Sequence, residues 1–214
     1  MNICSSNINF KAIKVAETKN VFRNISTNID IYKLNFNDKK NLDLLCDKVD
    51  FKECLNNLSE YDRNRWKKVF EYTIESAKSK DSNAFLAISN EKPCGIISFF
   101  EDKNKIYLDS ICAIPQKNSK RVNYVGSTLF YQLFKFADEA KSKCIDLLAV
   151  ANGPIDVISK YVSKGFRKQG MDGEYVKMSC NKYKIKEQLH ELSQNIEYKK
   201  CNKSDNVDLF NLII

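Results

Sequence analysis

Apolar and polar positions follow three patterns along this chain. Between Asp62 and Ser79 the apolar positions recur at helical spacing, and Trp66, Val69, Phe70, Thr73, Ile74 and Ala77 share one face. That spacing predicts an amphipathic helix. From Asn83 onward the pattern becomes a set of short apolar runs: Asn83–Ile88, Cys94–Phe100 and Ile106–Ile114. Polar turns, Asn90-Glu-Lys-Pro93 and Glu101-Asp-Lys-Asn104, separate them, which predicts an antiparallel meander. The helical period returns over Val125–Lys141, with Leu129, Leu133, Phe136 and Ala140 on the apolar face. Ile145–Val150 is apolar almost throughout, as in a strand buried on both faces. A short helix over Ile155–Lys164 follows.

The flanks carry weaker patterns. Ile29–Leu34 alternates and reads as a short strand. Lys39–Lys48 reads as a helix with Leu42, Leu45 and Val49 on one side, and Phe51–Leu58 as another short one. Phe166–Gln169 and Glu174–Cys180 form a hairpin pattern around Gly170-Met-Asp-Gly173, and Tyr183–Ser193 reads as helical. Residues 1–27 are polar and rich in Asn and Ser, so a poorly ordered or loosely docked arm is expected there. The predicted division is an arm over 1–27, an α/β domain over 28–181 and a helical C-terminal extension over 182–214. All six glycines and all three prolines lie between Pro93 and Gly173, so tight turns and close backbone approaches belong to that segment. A strand–helix–strand crossover then places Ile145–Val150 beside Ile106–Ile114 in parallel. The expected fold class is therefore a mixed sheet, an antiparallel meander followed by a parallel pair, with helices on both faces.

Composition narrows the function classes. With 214 residues, 43% hydrophobic and 29% charged, the chain can bury a real core. No apolar run approaches the ~20 residues of a membrane span. The opening MNICSSNINF lacks a basic region followed by an apolar core, so no secretory signal is expected and a cytoplasmic location is. The eight cysteines form no CxxC pair, and the single histidine, His190, is near none of them, which argues against a zinc site. Cys94, Cys112 and Cys144 sit in apolar runs and read as buried, reduced thiols without an activating base. The net charge of +8 is spread among interspersed acids. Two basic enrichments stand out, Arg63, Arg65, Lys67 and Lys68 on one predicted helix, and Lys182, Lys184, Lys186, Lys199 and Lys200 near the end. Such clusters attract polyanions or simply solvate a surface.

Chemistry concentrates between Ile106 and Phe166. A strand feeds a loop ending in Arg121-Val-Asn-Tyr-Val-Gly126, and the loop opens a helix. The first amides of a helix have no intrahelical partner and carry partial positive charge, so this junction is an anion cradle held by backbone. A second motif, Tyr161-Val-Ser-Lys-Gly165-Phe166, closes the following helix.

In these residues and this element order the chain resembles the GCN5-related N-acetyltransferase (GNAT) superfamily. The family's R/Q-x-x-G-x-G/A loop, which cradles the pyrophosphate of coenzyme A, is matched by Arg121, Val122, Asn123, Tyr124, Val125 and Gly126, with Ser127 next. Tyr124 stands where the family has its first glycine, and a shifted register, Asn123 to Thr128, would lose the arginine. The family's Tyr-x-x-x-Gly-Phe motif is intact, and Asn152 resembles the asparagine that contacts the pantetheine arm. The resemblance, over about residues 29–180, implies a sheet splayed around the cofactor and an N-acetyltransferase using acetyl-CoA as cosubstrate. It implies Tyr161 as the acid that protonates the leaving thiolate. It also implies backbone contacts along Cys112, Ala113 and Ile114, where Cys112 or Ala113 would donate to the oxyanion. Asp109 is a candidate base acting through water, or else a solvated strand residue. Tyr161 has a packing role as its alternative. Lys117 and Lys120 could join Arg121 in pairing with cofactor phosphates, or belong to a charged loop. The implied acceptor is an amine on a protein, a small molecule or an aminoacyl-tRNA, with monomer and dimer both open. A catalytically silent module that binds coenzyme A or a partner protein is the alternative reading.

Overall fold

Alternating burial along successive strands builds one large mixed sheet. The computed structural model describes residues 11–22, 25–39, 42–116, 122–151, 156–201 and 206–208. In chain order the strands before the first long helix are β1 (Lys11–Phe22) and β2 (Ile25–Lys33). Short helices α1 (Phe36–Lys39), α2 (Asp43–Lys48) and α3 (Phe51–Cys54) lead to α4 (Glu60–Lys78). The meander follows as β3 (Asn83–Ser89), β4 (Lys92–Asp102) and β5 (Lys105–Ala113). Then come α5 (Val125–Glu139), β6 (Cys144–Val150), α6 (Val157–Val162), β7 (Arg167–Asp172), β8 (Tyr175–Asn181) and α7 (Lys182–Ser193), with β9 (Ile196–Lys200) and β10 (Asn206–Asp208) last. The strand order is β10-β1-β2-β3-β4-β5-β6-β8-β7, and β9 also pairs with β1.

The meander is antiparallel as expected, and the crossover through α5 sets β6 parallel to β5. Two cores lie on opposite faces of the sheet. One packs α5 and α7 against it through Leu129, Leu133, Phe134 and Ile185. The other packs α2 and α4 through Leu42, Leu45, Phe70 and Ile74. Ser59 caps α4, its hydroxyl accepting from the Asp62 amide at 3.1 Å.

Several expectations are corrected. Residues 11–22 are no arm: they form β1, paired with β2 along nearly its whole length. Its buried positions include small or polar residues, Ala12, Ala16, Thr18 and Asn20. Thr18 settles its hydroxyl on Ile29 O at 2.7 Å. The chain beyond α7 returns to the sheet, where β9 and β10 cover the outer edge of β1. The single helix expected over 39–48 is split, because Lys39 turns inward and donates to Ser79 O at 2.9 Å and to Ser82 Oγ at 3.1 Å, at the end of α4. The helix expected over Phe51–Leu58 ends at Cys54. Strand β6 is not buried on both faces: Ile145, Leu147 and Ala149 point into the core while Leu148 and Val150 are exposed. On α4, Val69 is exposed too.

Candidate active site

A break in the sheet positions the site. β5 and β6 pair only from Lys105–Leu108 against Cys144–Leu147, yet β5 runs on to Ala113 and β6 to Val150. Their C-terminal halves part into a wedge. The ladder with β4 decides which amides face it. Ile114 N donates to Cys94 O at 2.9 Å, so this is a hydrogen-bonded pair. Such pairs alternate in an antiparallel ladder. With Gly95 opposite Ala113 and Ile96 opposite Cys112, the Cys112 amide turns toward β4 and the Ala113 amide turns into the wedge.

A bulge reorients β5 just before this point. The register with β4 shifts between Ser98 and Phe99, leaving Asp109 as the extra residue. Ile106 and Leu108 therefore face the α5 core, while Cys112 and Ile114 face the α4 core. Asp109 faces α4 as well and accepts from the Tyr72 hydroxyl at 3.1 Å. Burial, and then the Asp109 charge, push the Tyr72 phenol up to about 12, so Tyr72 is the donor in this pair at neutral pH.

The N-terminus of α5 lies at the mouth of the wedge. Tyr124 is its N-cap residue, with φ 64° and ψ 9°, the left-handed region. That conformation costs a residue with a Cβ about 1–2 kcal/mol. The first α5 bond is Thr128 N to Tyr124 O at 2.9 Å, and the amides of Val125, Gly126 and Ser127 lie ahead of it. A Cβ on Gly126 would meet nothing within 4 Å among the described residues, so the side of the helix at this residue is uncrowded. Underneath, Gly95 lets α5 approach β4: a Cβ there would stand 2.3 Å from Val125 Cγ1 and 3.0 Å from Leu129 Cδ1. Thr128 ties the same turn to β1, its hydroxyl 3.1 Å from Asn20 Oδ1.

Helix α6 brings up the second motif. Gly165 has φ 83°, and a Cβ on it would press on Gln188 at 3.1 Å. Phe166 is buried at 1% exposure. The Tyr161 ring is clamped edge-on by Phe130 and Phe166, at centroid distances of 6.0 and 5.8 Å. Burial, with the nearby Cys112 thiol adding to it, pushes the Tyr161 phenol up to about 12. A cleft of about 560 Å³ opens beside the end of β5, lined by Leu58, Trp66, Ala113, Gln116, Val122 and Lys160 among others.

No protein-family model matches this sequence, and no curated protein matches it. Solved structures do. The chain superposes on the PaiA N-acetyltransferase of Thermoplasma acidophilum, in complex with coenzyme A, at a TM-score of 0.50 and 21% identity, covering 72% of this chain and 98% of that one. It superposes on aminoglycoside 6′-acetyltransferase type Ii at 0.51 and 16% identity, covering 71% and 96%. For apo FdhC, a nucleotide-linked sugar GNAT, the values are 0.50 and 13%, covering 87% and 97%. This chain has the GNAT fold.

Within that GNAT fold, Ala113 and Val122 line the cleft beside the end of β5, Tyr124, Val125, Gly126 and Ser127 make the start of α5, and Asn123 is exposed. The amides of Cys112 and Ile114 serve the β4 ladder instead. Arg121, Asn152, Lys117 and Lys120 lie outside the described residues. The cysteine reading agrees in chemistry: burial raises Cys94 and Cys112 to about 12, which keeps them thiols, and Cys144 is half-buried. On α4, Arg63 donates to Leu58 O at 2.5 Å, Arg65 stacks over Tyr61 at 5.5 Å and Lys67 lies 3.6 Å from Glu71. Three groups were missed from the sequence: Tyr72, Gly95 and Lys164. Only Gly95 carried a signal, an isolated glycine inside an apolar strand pattern.

Proposed function

We propose that this protein is an acetyl-CoA-dependent N-acetyltransferase in which an amine attacks the thioester directly. The observation that carries this reading is the Ala113 amide facing an open wedge whose mouth is the N-terminus of α5. The residues fit the cosubstrate: the uncrowded side of the helix at Gly126 and the amides of the first turn suit a diphosphate. The wedge suits an extended pantetheine arm, which would take the place of a missing strand.

When bound, acetyl-CoA supplies the acetyl group as a thioester. The Ala113 amide donates to the carbonyl oxygen as negative charge develops there. Asp109, held by the Tyr72 hydroxyl, takes the amine proton through water. Tyr161 gives its phenol proton to the departing sulfur as the carbon–sulfur bond breaks and the carbon–nitrogen bond forms. The amine acceptor is a small molecule or a protein group in preference to an aminoacyl-tRNA. Three of the four α4 cations that would attract a polyanion, Arg63, Arg65 and Lys67, are engaged within their own segment, and aminoglycoside 6′-acetyltransferase, by its name, takes a small amine.

The test is release of free thiol from acetyl-CoA with an amine panel, comparing wild type with Tyr161→Phe. The variant is expected to lose about 10²-fold or more in kcat, with little change in KM for acetyl-CoA. Because the Tyr161 phenol titrates near 12, it stays protonated through neutral pH, so it gives no descending limb below about pH 10. Equal turnover by the two proteins would remove Tyr161 as the acid.

A further inference from the structure

Lys164 is a half-buried cation that neither the motif nor the chemistry above uses. It sits between Tyr161 and Gly165, and its Nζ reaches across to α5, donating to Ser127 Oγ at 3.3 Å. Among the described residues no carboxylate lies within ion-pair distance of it. Glu191 on α7 is the acidic group whose field it feels. Burial holds the ammonium below its usual range, and the Glu191 charge offsets only part of that. A desolvated lysine in this state gains most from an anion placed beside it. Lys78 and Lys184 differ: Lys78 contacts Asp43 and Glu75, and Lys184 contacts Glu187.

The position of Lys164 identifies the anion. Ser127 is in the first turn of α5, where the leading amides and the helix dipole already favour negative charge. We propose that Lys164 is the side-chain counter-charge for the diphosphate of coenzyme A, gripping it against Ser127. This rests on the acetyl-CoA reading of the site. On binding, the Nζ–H that now meets Ser127 Oγ turns to a phosphate oxygen. The Ser127 hydroxyl is then released to donate to the same group. The two charge-assisted contacts then strengthen the link between the segment after α6 and the first turn of α5.

Calorimetric titration of wild type, Lys164→Met and Lys164→Arg with three ligands tests this. The ligands are coenzyme A, 3′-dephospho-coenzyme A and acetyl-pantetheine, which lacks the diphosphate. The expected result is a loss of about 10-fold or more in affinity for the first two ligands in Lys164→Met, unchanged acetyl-pantetheine binding, and recovery in Lys164→Arg. Equal coenzyme A binding by wild type and Lys164→Met overturns the proposal, and so does an equal loss for all three ligands, which would mark Lys164 as a structural tether. Failure of the wild type itself to bind coenzyme A overturns the acetyl-CoA reading, and this proposal with it.

Discussion

At the scale of single residues, the site is built from exceptions to ordinary preference. Tyr124 accepts a left-handed backbone at the position where glycine would be free of strain. Its ring is half-buried, and its carbonyl closes the first turn of α5. Tyr124→Gly should therefore remove about 1 kcal/mol of strain while losing the ring's contacts and adding unfolded-chain entropy. Denaturant midpoints within about 1 kcal/mol of wild type, with coenzyme A affinity retained, are the expected outcome. A loss of several kcal/mol would mean that the ring, not the backbone conformation, holds the loop. Tyr161 is the opposite case. Its neighbours Gly165 and Phe166 have structural explanations, a turn and a core anchor, whereas among the described residues nothing hydrogen-bonds the hydroxyl on its ring.

At the scale of elements, the close approach of α5 to β4 fixes where the first-turn amides sit. Gly95→Ala would drive a methyl group to 2.3 Å from Val125 Cγ1, a stiff β-branched side chain. Overpacking of this kind costs about 1–3 kcal/mol and should tilt the start of α5. Urea unfolding should show that loss, and adding Val125→Ala should recover most of it; no recovery would contradict the contact. The meander, α5 and the α6 motif were legible in the sequence because their apolar periods are strong and their turns polar. Strand β1 was not, because its buried face is made of Ala, Thr and Asn satisfied by hydrogen bonds. The bulge at Asp109 was equally hidden. Its extra residue swaps the faces of β5, yet the burial of alternate residues continues unbroken through it. Lys164 and Tyr72 left no trace in the sequence because each acts through a partner on another element, Ser127 on α5 and Asp109 on β5.

At the scale of the whole molecule, one sheet links everything. Its far edge is closed by β9 and β10 on β1, and its middle is opened by the parting of β5 from β6. Between β5 and β6 the described ladder stops at Leu108 and Leu147, which leaves the wedge free to take an extended ligand. The most direct measurement of the central claim is amide hydrogen exchange of the full chain with and without coenzyme A. Protection concentrated in peptides covering Ala113 and Gly126–Thr128, with little change along β1 and β9, is the predicted result. Unchanged exchange at both places under saturating coenzyme A, or protection confined to another part of the sheet, would contradict it.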